Sequence, residues 1–119
     1  IFLLYVSAYK QQDEENQNKY AFMYQSLIQT IINSGDGKSI PTAYVVVKVS
    51  DEYELLYYYE LLSLSQALIY GKKENEIIDL LTIDTKDQKK IKGQKKIKKI
   101  YFNVSQPFNS LAKSFKNNE

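Results

Sequence analysis

Apolar residues recur at helical spacing in the first third of the chain. Residues 1–11 carry a first apolar stripe, which predicts a short helix. A polar stretch interrupts it, and Asp13 is suited to cap a second helix that runs to about Asn33. Together they predict a helical hairpin over 1–34, ended by a left-handed glycine within Ser34–Gly37. The first stripe consists of Phe2, Tyr5, Val6 and Tyr9.

The pattern changes to that of β-strands after Pro41. A continuous run rich in β-branched residues predicts a strand over 43–49. Asp51 and Glu54 have the spacing of a capping box at the start of a short helix that ends near Glu60. Further strands are predicted over 62–70, 77–84 and 97–104.

The order of these elements indicates the fold class. Alternate residues of the last predicted strand, beginning with Ile100, face one side, and Pro107 is expected to end that strand. Helices followed by mainly antiparallel strands are typical of α+β proteins. We therefore predict a single α+β domain with an N-terminal helical hairpin, then a small, mainly antiparallel β-sheet with one short helix over 40–106, and a tail over 107–119 that frays after Ser114.

The composition excludes several classes of chemistry. His, Cys, Trp and Arg are absent from the 119 residues, so all 16 positive charges are lysines. Without Cys there is no thiol nucleophile or disulfide, and without His the usual general base and commonest metal ligand are missing. Without Arg the chain lacks the planar fork that grips phosphate or carboxylate. We predict no catalytic, cofactor-binding or metal-binding residue, and hence a protein that is not an enzyme.

The positive charge is concentrated in one segment of the chain. Lys86–Lys99 is rich in lysine and contains a near-duplicate motif around Gly93. This segment could attract an anion, but it has no Arg to read guanine and no aromatic side chain to stack on a base. We therefore interpret it as a solvated hairpin tip and expect no specific binding of nucleic acid, with anion binding as the alternative.

The segment Gly35–Ser39 has the sequence Gly-Asp-Gly-Lys-Ser, which is similar to the end of a phosphate-binding P-loop. A P-loop needs a glycine where Ile32 stands, a strand before the motif and a helix after it. Here a predicted helix precedes the segment and a predicted strand follows it, so we interpret it as a helix cap and turn. Lys38 also occupies a position where a calcium site would need an oxygen ligand.

Two clusters lie in and around the predicted short helix. Tyr57, Tyr58 and Tyr59 are candidates for a recognition surface, since tyrosine is enriched at interfaces, although packing onto the sheet is the commoner role. An acidic cluster is interpreted as complementing the helix dipole, with paired catalytic carboxylates as a remote alternative. Its members are Asp51, Glu52, Glu54 and Glu60.

The chain contains, in this order, the segments Ile32–Ser39, Thr42–Val46, Glu52–Tyr53, Ser65–Ile69 and Ile100–Ser105. In this order and spacing they resemble a bacterial family called domain of unknown function 4919. The resemblance covers about 20–105, although a usual glycine after the short helix is missing and the lysine-rich segment is long. It implies longer members with a repeat-like helical N-terminal region and often a secretory signal, which suggests a secreted or periplasmic location. It implies no site residues.

The apolar pattern at the start of the chain indicates a candidate surface for a partner. The chain begins at Ile1 inside an apolar pattern, so we interpret it as the C-terminal part of a longer protein. The apolar run of 1–6 is far shorter than the roughly 20 residues of a membrane span, and no transmembrane segment is predicted. The helix stripe and Tyr57–Tyr59 are the candidate partner surface, for an unknown protein or for a homodimer through the N-terminal helices.

Our first hypothesis is a non-enzymatic interaction or accessory module. The alternatives are an enzyme whose catalytic residues lie mostly before Ile1 or in a cryptic carboxylate site, and a lysine-rich module that binds anions. An exposed apolar patch would favour the interaction module. An open pocket with two carboxylates within about 5–10 Å of each other would favour the enzyme.

Overall fold

The structure of the protein, a computed structural model, describes Leu4, Val6, residues 13–88 and residues 95–117. Residues 116 and 117 are described by their backbone only. From residue 13 onward, the described part of the chain contains three helices and four strands. In chain order they are α1 (Glu14–Asn33), β1 (Tyr44–Val45), α2 (Ser50–Tyr58), β2 (Ser63–Tyr70), β3 (Ile77–Ile83), β4 (Lys99–Asn103) and α3 (Ser105–Asn117).

Helix α1 begins and ends where the sequence predicts. The Asp13 carboxylate accepts a hydrogen bond from the backbone amide of Asn16 at 3.2 Å, which satisfies one of the free amides of the first turn. At the other end the Ser34 hydroxyl donates to the carbonyl of Ile31 at 2.6 Å. The prediction of a helix capped by Asp13 and ending at Asn33 is confirmed.

The turn after α1 differs from the predicted glycine cap. Ser34 has a right-handed backbone, and the left-handed residue is Gly37, with φ of 68°. Gly35 is needed for a different reason, because a Cβ there would lie 2.4 Å from the carbonyl oxygen of Thr42. That same carbonyl accepts hydrogen bonds from the amides of Asp36 and Gly37, which folds the loop back on itself.

The predicted strand over 43–49 is wrong in length, since β1 has two residues. Its neighbour β4 ends at Asn103, and the amide of Val46 bonds to the carbonyl of that residue at 3.3 Å before the chain leaves the sheet. Val47 and Val49 are exposed. The β-branched run over 43–49 is therefore longer than the strand, because β4 ends and offers no further backbone groups for pairing.

The predicted capping box of α2 is also wrong. The residue at the N-cap is Val49, which makes no side-chain capping bond. Asp51 lies inside the helix, and its carboxylate accepts from the amide of Lys48 at 3.1 Å. The acidic side chain thus still satisfies an amide at the start of the helix, but from inside the first turn.

The four strands form one sheet in the order β1-β4-β3-β2. Strands β2, β3 and β4 pair antiparallel, whereas β1 runs parallel to β4. The α+β class and the mainly antiparallel sheet are therefore confirmed. Strand β2 lies at one edge, and the other edge is the two-residue β1.

The core lies between one face of the sheet and helices α1 and α2. Alternate residues of β4 turn inward, as predicted, and Phe102 is completely buried at the centre. Strand β2 contributes no residue to this cluster. The buried members are Ile28 and Ile31 of α1, Leu55 and Leu56 of α2, Leu81 and Ile83 of β3, Ile100 and Phe102 of β4, and the loop residues Val46 and Val104.

Helix α3 occupies most of the segment that was predicted as a tail over 107–119. A proline in the first turn removes no intrahelical hydrogen bond, so Pro107 does not stop the helix. Phe108 packs against the core, and Asn109 donates to the carbonyl of Asn75 at 3.1 Å. Phe108, Leu111 and Phe115 have helical spacing in the sequence, which is the signal that the prediction missed.

The Gly37→Ala variant should be less stable than the wild type. Its Cβ would occupy a left-handed backbone position and lie 2.3 Å from the ring of Tyr44, so we expect a loss of about 1–3 kcal/mol in the free energy of unfolding. Urea denaturation measures the difference, with Lys38→Ala as the control because that side chain is exposed. Equal stability of the two variants would contradict the assigned loop geometry.

Candidate functional site

The N-terminal candidates lie mostly outside the described residues. This holds for Phe2, Tyr5 and Tyr9, whereas Val6 is helical and half-buried. The helical hairpin and its apolar face therefore stay predictions.

The tyrosine triplet at the end of α2 is exposed to different degrees. Tyr57 is 66% exposed and Tyr58 50%, and the rings of Tyr58 and Tyr59 meet edge to face at 5.1 Å. Tyr59 also forms a hydrogen bond with the hydroxyl of Tyr44. The triplet thus divides between two surfaces: Tyr57 lies beside the start of β2, and Tyr59 lines a pocket near β1 and β4.

Strand β2 exposes apolar side chains on the face that the helices cover elsewhere. Residues directly opposite each other on antiparallel strands share a face. Leu68 is paired with the buried Asp79, and Tyr70 with Ile77, so both point to the helix side of the sheet. They are nevertheless 50% and 86% exposed, because the helical layer does not extend over β2.

A shallow groove continues this exposed region onto α2. It has a volume of about 190 Å³ and runs between the helix and the start of β2. We call the exposed apolar and aromatic side chains of this region the β2 surface. Its members are Tyr53, Tyr57, Leu62, Leu64, Leu68 and Tyr70, which are 45%, 66%, 64%, 63%, 50% and 86% exposed.

A second cavity brings together two segments that the sequence analysis treated separately. The turn Gly35–Ser39 and the end of the lysine-rich segment meet at a pocket of about 360 Å³. We call it the lysine–tyrosine pocket. Its lining consists of Asp36, Gly37, Lys38, Tyr44, Tyr59, Lys95, Ile97, Lys99 and Ile100.

The acidic cluster predicted around α2 does not form a common site, because Glu52 points into the core. Glu52 is fully buried and faces Asp79 of β3, which is 2% exposed. Among the described residues, no hydrogen-bond donor reaches either carboxylate oxygen of Glu52 or Oδ1 of Asp79. A proton on one carboxyl group is therefore needed to join the two by a hydrogen bond.

Burial, together with the hydrogen bond to Asp79 and the negative charge of that residue, raises the pKa of Glu52 to about 9. At neutral pH Glu52 is thus a neutral acid that donates to Asp79. Glu52 belongs to the acidic cluster predicted from the sequence, whereas Asp79 was not predicted. The available signal was an acidic residue at an inward position of the apolar run Ile77–Ile83.

The pair does not resemble an accessible catalytic dyad. The three grooves at the surface with described linings hold at most one carboxylate each, and neither Glu52 nor Asp79 lines any of them. Among the residues described, no group of three or more acidic side chains could hold a metal ion, and no helix combines the length and apolarity needed to span a bilayer.

Comparison with known families finds a match that spans most of the chain. A family model described as Domain of unknown function (DUF4919) matches residues 1–113. This match is wider than the resemblance over about 20–105, and it gives no support to the interpretation of the chain as a C-terminal part. No curated protein and no solved structure matches the chain.

The buried acid pair should make the protein less stable at alkaline pH. In the unfolded chain Glu52 loses its proton near its ordinary pKa of 4.5, whereas the folded protein keeps it up to about pH 9. Between these values the folded state holds one more proton, so raising the pH lowers the free energy of unfolding by at most about 1.4 kcal/mol per pH unit. Urea denaturation from pH 5 to pH 9 measures this slope.

The Glu52→Gln variant provides the comparison, because glutamine keeps the shape of the protonated acid and a donor toward Asp79. We expect it to remove the slope and to be more stable than the wild type at pH 8. Glu74→Gln, which changes an exposed acid, should keep the slope. The assignment fails if the wild type has no slope or if Glu52→Gln retains it.

Proposed function

The chain belongs to the DUF4919 family, a family of unknown function, and from the exposed edge strand of its fold we propose that it is a non-enzymatic protein-interaction module. The docking site in this proposal is the β2 surface, and its occupant is a second copy of the chain, added to the sheet through β2.

The observation that carries the proposal is an eight-residue edge strand without one charged side chain. Folded proteins usually protect sheet edges with short strands, charges, proline or bulges, because the outer backbone groups of an edge strand can pair with another chain. The edge at β1 is protected by its length of two residues. Strand β2 has only an irregularity between Ser63 and Ser65, so its regular part remains available for strand addition.

The charges that flank β2 fit an antiparallel second copy. Glu60 precedes the strand, and Lys72 and Lys73 follow it. Two strands related by a twofold axis through the sheet run antiparallel, which brings Glu60 of each copy toward the lysines of the other. The strands themselves carry no like charges that would face each other, and they bring their exposed leucines together.

Two further observations support an interaction module over the alternatives. The β2 surface is an exposed apolar patch, and such patches are typical of sites that bind a partner. The described grooves lack the paired carboxylates that a glycosidase-like site would require. The sequence analysis proposed a homodimer through the N-terminal helices, and the present proposal places the contact on β2.

Gln66→Lys should dissociate the dimer. In an antiparallel pair centred near this residue, two introduced lysines would face each other across the axis, and we expect the dissociation constant to rise at least about tenfold. Light scattering coupled to size-exclusion chromatography measures the assembly. Gln25→Lys, the same change on an exposed position of α1, should leave the dimer intact.

Three results would overturn the proposal. The first is a wild-type protein that stays monomeric at about 100 μM, since an interface of standard size gives tighter association. The second is a Gln66→Lys variant that dimerises like the wild type. The third is a dimer that Val6→Glu dissociates and Gln66→Lys does not, which would place the contact on the N-terminal helices.

A further inference from the structure

The lysine–tyrosine pocket is separate from the β2 surface and has the features of a site for a small anion. Its walls come from parts of the chain that are distant in sequence: the turn after α1, β1, the end of α2, and the segment that leads into β4. The fold brings these distant parts of the chain together.

The turn that forms one wall is held firmly in place. The amide of Gly37 donates to the carbonyl of Thr42 at 2.9 Å, and its carbonyl accepts from the amide of Tyr101 on β4 at 2.8 Å. The left-handed backbone of Gly37 lets this residue lie directly against the ring of Tyr44. The wall is therefore pre-organised, which reduces the entropy cost of binding a ligand.

The electrostatics of the pocket favour a doubly charged anion. Lys38, Lys95 and Lys99 contribute three positive charges, and Asp36 contributes one negative charge. The Asp36 carboxylate accepts hydrogen bonds from the Thr42 hydroxyl and, at 2.9 Å, from the amide of Lys38, and these bonds lower its pKa. Asp36 is thus engaged by its own turn, and the lining keeps a formal excess of two positive charges.

Two tyrosine hydroxyls supply neutral hydrogen-bonding groups. Burial, together with the neighbouring Tyr59, raises the pKa of Tyr44 to about 12. Tyr44 therefore remains a neutral phenol at neutral pH and does not repel an anion. The side chains of Ile97 and Ile100 add apolar surface beside these hydroxyls.

We propose that this pocket binds a small phosphate monoester through Lys38, Lys95 and Lys99, with its organic part against Tyr44 and Ile97. A phosphate monoester carries a charge of about −1.5 to −2 at neutral pH, which matches the excess charge of the lining. Lysine binds phosphate as a point charge and does not need the fork of arginine. A volume of about 360 Å³ fits a small ligand and not a polymer.

Titration with phenyl phosphate, followed by NMR, tests the site. We expect saturable shifts of the Gly37 amide and the Tyr44 and Tyr59 ring signals, with at least tenfold weaker binding of phenol. The double variant Lys95→Gln/Lys99→Gln should weaken phenyl phosphate about tenfold or more, because two of the three positive charges of the lining are lost.

The matched control is Lys86→Gln/Lys113→Gln, which changes the net charge equally at exposed positions outside the pocket. It should change the affinity less than twofold. An equal loss of affinity in this control would show attraction to net charge and overturn the proposal. The proposal also fails if phenyl phosphate gives no saturable shift up to about 10 mM, or if a short DNA duplex competes for the same signals.

Discussion

The packing of α1 and α2 against β3 and β4 is the contact on which the rest of the structure depends. These four elements, with the loop residues Val46 and Val104, supply the buried core. Two helices are too few to cover the whole sheet, and they lie over its central strands. As a consequence Leu68 and Tyr70, on the helix-side face of β2, stay exposed.

The buried acid pair lies within this contact, between α2 and β3. A charged carboxylate in such an environment carries a large desolvation penalty, and two adjacent carboxylates would also repel each other. Retaining one proton on Glu52 reduces both penalties, so the helix and the sheet are joined by a hydrogen bond between the carboxylic acid of Glu52 and the carboxylate of Asp79. The polar pair restricts how α2 can lie on the sheet, since another orientation would separate the two buried carboxyl groups and break the hydrogen bond between them.

Elements fixed by local interactions could be predicted from the sequence. Helix α1 is the clearest case, since its capping residue, its acidic first turn and its apolar stripe all lie within a few residues of one another. Strands β2 and β3 followed from their apolar runs and from the turn between them. The inward positions of β4 followed from simple alternation.

The features that the sequence did not reveal depend on contacts between distant residues. The length of β1 is set by the end of β4 at Asn103, and the residues of β1 carry no sign of it. The pairing of Glu52 with Asp79 requires α2 to lie over the centre of β3. The lysine–tyrosine pocket likewise lies between distant segments, which are joined by the hydrogen bond from Tyr101 of β4 to Gly37, and the spacing of glycines and lysines cannot show this.

The strand order has a consequence for how the chain folds as it is synthesised. Strand β4, the last to be made, lies between β1 and β3, and it pairs with both. While the ribosome is still upstream of Lys99, α1 and the β2–β3 hairpin can form from local contacts, but β1 has no strand to pair with. The sheet closes only when a segment distant in sequence inserts into its middle, a step of high loop-closure entropy that should be slow relative to helix formation. Until β4 has been synthesised, the nascent chain exposes one unpaired edge of β3 and one of β1. Misassembly is therefore most favoured during this stage of synthesis.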